Sequence, residues 1–87
     1  MSEKLLVVEE AFVARGKGVL VTPRFTAETP RRGAFPVHLR FPDGTDRDVL
    51  AEMEVAHMRG ALAPYAMYRL FDVTPEDVPS GTEIWSR

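Results

Sequence analysis

The chain has no cysteine, one tryptophan and only two histidines, and none of its apolar runs exceeds a few residues. Without cysteine there is no disulfide framework, no thiolate nucleophile and no zinc site built on sulfur. The histidines, His38 and His57, do not stand at the spacing of a metal-ligating pair, so neither a metal nor another cofactor is expected. The apolar runs fall well short of the ~20 residues that cross a bilayer. At the N-terminus, "MSEKLLVVEE" passes from four apolar residues directly into acids, which is not the pattern of a signal peptide. The expectation is a cytoplasmic protein without a membrane partner.

What remains is an 87-residue chain of ordinary globular composition, 45% hydrophobic and 28% charged, which excludes disorder. That length makes a single domain spanning 1–87, and it buries roughly 60–65% of the surface its unfolded form exposes. The net charge is −2, with seven Lys/Arg against five Asp/Glu in residues 1–44 and four against eight in residues 45–87. This asymmetry points to a basic patch around Arg15, Lys17, Arg24, Arg31 and Arg32.

The patterning is that of strands and turns. Residues 5–14 are rich in Leu, Val and Phe; "RGKG" breaks the run, and residues 19–25 resume it with β-branched side chains, a β-hairpin signal. Residues 34–41 alternate, with Val37, Leu39 and Phe41 on one face and His38 and Arg40 on the other. "PDGT" at 42–45 is a turn, because Pro presets φ and Asp-Gly accepts a tight bend. Residues 48–58 hold good helix formers yet also alternate, and their context favours a strand. Residues 65–72 and 82–85 supply two more strands. Between them Thr74 caps a single helical turn over 75–78, with Pro75 at its first position. The expected fold is all-β: a small six-stranded barrel, closed or nearly closed, with that one helical turn.

The glycine pair of "RGKGVLVT" raises the question of a phosphate-binding loop. Such a loop needs G-x-x-x-x-G-K-[ST] between a strand and a helix, so that backbone amides face the anion. Here no Ser or Thr follows the Lys and a strand follows the glycines, so "GKG" reads as a hairpin turn. No nucleotide is expected on this chain alone, and the chain is not expected to be an enzyme. No serine stands in a nucleophile-elbow setting. Glu52 and Glu54 share one strand face, as paired carboxylates for acid–base work would, but a solvated acidic face is the plainer reading.

Four segments resemble, in order, domain II of the translational GTPases, the β-barrel domain of elongation factor Tu and its relatives. They are "VEEAFVARGKGVLVTPRF", the basic "RRG" before "FPVHLRF", "AEMEVAHM", and the closing "VTPEDVPSGTEIW". Together they cover roughly residues 5–85. The resemblance implies a stand-alone domain II-like barrel. By the same resemblance, Glu9, Glu10, Phe12, Arg15 and Lys17 would face RNA or the aminoacyl end of a tRNA. Pro23 stands where the family has Gly and implies a strand edge or a bulge.

"YAMYRLF" carries aromatics on both parities of a strand. Aromatics around an Arg are typical interface anchors, which makes Tyr65, Tyr68, Arg69 and Phe71 the candidates for a protein interface. The expected function is that of a non-catalytic binding module engaging a protein partner, a second copy of itself included. The alternative is an RNA-, ribosome- or tRNA-binding protein of translation.

Overall fold

The computed structural model describes residues 2–13, 17–26, 32–56 and 65–87. Seven strands form one antiparallel sheet: β1 (Lys4–Val7), β2 (Glu10–Val13), β3 (Val19–Thr26), β4 (Phe35–Arg40), β5 (Asp46–Ala56), β6 (Tyr65–Leu70) and β7 (Glu83–Ser86). A 3-10 turn at Pro75–Asp77 lies between β6 and β7. Among the described residues no helix is long and apolar enough to cross a membrane.

The strand order is β1-β7-β4-β5-β6-β3-β2, so β1 and β2, neighbours in sequence, stand at opposite ends of the sheet. The expected all-β fold is present, but the expected six strands, closed or nearly closed, are corrected: among the described residues the sheet is an open half-barrel of seven strands. The reason lies at Val8 and Glu9. The Val8 N–H donates to the Thr82 carbonyl at 2.8 Å, and the Glu9 N–H donates to the Thr22 carbonyl at 2.8 Å. One run of apolar residues therefore serves two different neighbours, pairing with β7 before the break and with β3 after it. Val8 itself is buried, 1% exposed, where the chain changes partners.

Alternation decides what each strand buries. In β4, Phe35, Val37 and Leu39 point into the core while Pro36 and Arg40 face water. In β5, Val49 and Ala51 are buried, and in β6 so are Ala66, Tyr68 and Leu70. Leu39, Leu70 and Ile84 are the largest fully buried side chains, each contributing about 1.5–3 kcal/mol by its removal from water. Tyr68 stacks on Phe25 with centroids 4.7 Å apart and meets the edge of Phe35 at 6.2 Å.

The turns follow their local chemistry. β2 pairs antiparallel with β3, the described pairing ending at Val13 opposite Val19. Gly18 has φ +82°, and a Cβ there would stand 2.6 Å from the Leu70 carbonyl oxygen. Glycine is thus required twice over, by its backbone conformation and by the close approach of β6. In "PDGT", Asp43 accepts from the Thr45 hydroxyl at 2.6 Å and from the Thr45 N–H at 3.0 Å. These bonds hold the Asp43 carboxyl below its ordinary value, the hydroxyl contributing most. At the 3-10 turn the Thr74 N–H donates to Asp77 at 2.9 Å, and this bond likewise lowers the Asp77 pKa. Pro23 falls where β3 shifts register against β6, between Val21 and Phe25.

Candidate binding surfaces

The aromatic strand splits between two roles. Tyr65 is 37% exposed at the start of β6, with the Arg24 guanidinium 5.4 Å from its ring centre. Phe71 is half-buried, just past the strand end. Tyr68 corrects the expectation of an interface anchor: at 6% exposure it is a core residue, because its parity in β6 is the one that faces inward. Arg69 lies on the outer face with only 13% of its side chain exposed. Its Nη2 and Nε donate to Glu54 Oε2 at 2.7 and 3.1 Å, and its Nη1 donates to the Lys17 carbonyl at 2.5 Å. Arg69 thus ties the β2–β3 hairpin to β5 and β6. Glu54 is its ion-pair partner, so Glu52 and Glu54 do not form a free carboxylate pair.

Of the residues implied by the family resemblance, Glu9, Glu10 and Phe12 lie at the β2 edge. Glu9 and Glu10 are exposed, and the Glu10 N–H donates to the Thr22 hydroxyl at 3.0 Å. Phe12 is 40% exposed and registers opposite Leu20 on the outer face. Lys17 is exposed beside Gly18; Arg15 lies outside the described residues, as do Arg31 and His57. Lys17 precedes β3 by two residues and Arg24 lies in the strand's second half, at most roughly 23 Å away at 3.3 Å per residue.

A residue not singled out from the sequence marks the same edge. Val13 is directly opposite Val19, so both belong to the inner face of the sheet. Val19 is 2% exposed, whereas Val13 is 75% exposed, because no strand follows β2 to cover it. The 3-10 turn flanks β2, yet exposure rises along the strand from half-buried Ala11 to Val13.

His38, singled out as one of two histidines, sits on the outer face of β4 among charged groups. Its Nδ1 lies 2.6 Å from Asp48 Oδ1 and its Nε2 lies 3.4 Å from Asp46. Arg87 closes on the second oxygen of Asp48. These partners, His38 first, lower the Asp48 pKa below the ordinary carboxylate value. Both ring nitrogens face carboxylates and neither is directed at a serine hydroxyl, so the arrangement is not that of a Ser-His-Asp triad.

No protein-family model matches the chain, and neither a curated protein nor a solved structure is significantly similar to it.

Proposed function

We propose that this chain is a non-catalytic binding module that engages a protein at the open β2 edge, through Val13 and Phe12. The kinship with the domain II barrel of elongation factor Tu is proposed with it, on the four sequence segments. One observation carries the reading: Val13 belongs to the core-facing side of the sheet and is still 75% exposed. An apolar side chain aimed at a core that ends beside it is a surface prepared for burial by something else. Tyr68 and Arg69 are already engaged within the fold, which moves the interface from the aromatic strand to this edge. RNA binding through Arg15 and Lys17 is the alternative reading, and exposed Lys17 is the described residue that supports it.

The test is a photo-cross-linking side chain placed at position 13 and, as a control, at exposed Leu50. Expression in the organism that makes the protein should give a protein adduct from position 13 alone, resistant to high-salt washing. No adduct from position 13, or RNA adducts from position 17 in its place, overturns the reading.

A further inference from the structure

A groove of about 360 Å³ crosses the outer face where β4, β5 and β7 lie side by side, with Trp85, His38, Asp48, Arg40 and Arg87 around it. Its floor is a cross-strand row, since Asp48 registers opposite His38 and His38 opposite Trp85. It belongs to the half of the sheet away from β2, and the proposed protein contact makes no use of it.

Arg40 is the unusual member. Its direct cross-strand neighbours are Asp46 and Glu83, and a carboxylate in either place ordinarily pairs with a guanidinium. Both carboxylates turn elsewhere. Asp46 lies 3.4 Å from His38 Nε2, while Glu83 accepts from Trp85 Nε1 at 2.9 Å and stands 4.0 Å from Lys4 Nζ. Among the described residues, exposed Arg40 therefore has no carboxylate partner. Its guanidinium carbon is 5.8 Å from the Trp85 ring centre, and Lys4 Nζ is 5.9 Å away. Both cations thus lie over the indole near the outer limit of cation–π contact, at about 6 Å, where the attraction is weak and the Arg40 fork stays available.

We propose that this groove binds a small planar anion, a ring carrying a carboxylate or a phosphate. The ring lies against Trp85 and the anionic group is taken by the Arg40 guanidinium. A guanidinium offers a planar fork of donors matched to two anionic oxygens, and the indole offers an apolar face beside it. Asp48, the carboxylate that lines the groove, is engaged by His38 and ion-paired with Arg87, which compensates its charge. A ring without charge would leave Arg40 unused, and a bare anion would leave Trp85 unused.

The chain's only tryptophan reports on this site directly. Indole fluorescence of the full chain is titrated with benzoate, uridine 5′-monophosphate, uridine, inorganic phosphate and a short single-stranded RNA. Saturable quenching is expected from at least one ring-bearing anion, with uridine and phosphate weaker by about tenfold or more. Arg40→Gln is expected to lower that affinity by about tenfold with the melting temperature unchanged, and Arg40→Lys to recover part of it. Quenching by benzoate alone identifies a free aryl carboxylate as the source of the chemistry. RNA that binds more tightly than the mononucleotide, with steep loss in salt, identifies a nucleic acid strand. No saturable quenching by benzoate or the mononucleotide, or undiminished affinity in Arg40→Gln, overturns the proposal.

Discussion

Replacing Gly18 by Ala separates two costs that glycine avoids at the β2–β3 hairpin. The first is conformational: with φ at +82°, an L-residue costs about 1–2 kcal/mol. The second is steric, since the added Cβ would stand 2.6 Å from the Leu70 carbonyl oxygen. Leu70 cannot yield, because it is paired on both sides, with Val19 in β3 and with Ala51 in β5. Overpacking of that kind costs about 1–3 kcal/mol. The sum, about 2–5 kcal/mol, corresponds to a loss of roughly 8–40 °C in melting temperature for a domain of this size.

Gly44 supplies the control. Its φ is +91°, and a Cβ there meets nothing within 4 Å, so Gly44→Ala carries the conformational cost without the clash and should lose roughly 4–16 °C. Loss of unfolded-chain entropy stabilises both variants by a similar amount and cancels in the comparison. Thermal unfolding followed by far-ultraviolet circular dichroism measures both. Equal losses in the two variants would refute the argument, since they would mean that β6 gives way at Gly18.

Two further predictions concern ion pairs. Glu54→Ala removes one partner of Arg69 and should cost about 0.5–1 kcal/mol, because Glu54 is half exposed. Arg69→Ala also frees the Lys17 carbonyl and should cost about 2 kcal/mol. The double variant should match Arg69→Ala closely in urea titrations, and full additivity would show that the pair is uncoupled. Asp48 has its pKa lowered from the ordinary 3.8, so the stability it contributes is present above that value and is lost as the pH falls through the lower, folded-state value. Asp48→Asn should therefore show a shallower fall of melting temperature between about pH 5 and pH 2. Asp43 and Asp77 shift in the same direction and leave a residual slope. An acid limb identical to that of the parent protein would dismiss Asp48 as a contributor.

Much of the sheet was readable because its strands have one inner face. Residues 34–41 alternate cleanly, and β4 buries the predicted Val37 and Leu39. "PDGT" and Thr74-Pro75 are punctuated by residues whose local chemistry suffices. The break at Val8 and Glu9 has no such mark, since it is set by Thr82 and Thr22, which are distant in sequence. In "YAMYRLF" both parities carry apolar residues, so alternation alone could not tell that Tyr68 faces inward and Tyr65 outward. Val13 escaped notice for a related reason: its exposure depends on the absence of a following strand, not on its own neighbours. Arg40 is distinguished only by where Asp46 and Glu83 turn, which no spacing encodes.

The placement of β1 and β2 at opposite ends of the sheet also bears on the order in which the fold is made. β2 pairs with β3, which follows it closely in sequence, a contact the chain makes almost as soon as both segments exist. β1 pairs only with β7, and the bond from the Glu3 N–H to the Ser86 hydroxyl spans 83 residues. Adjoining segments of the chain thus take part in one of its most local pairings and its least local one. Contacts at such separation are entropically slow to form. β7, inserted between β1 and β4, must leave the ribosome before either can complete its hydrogen bonding on that side. Until then β1 has no partner, and premature termination just before residue 83 would release a chain with β1 unpaired and β4 exposed as a sheet edge.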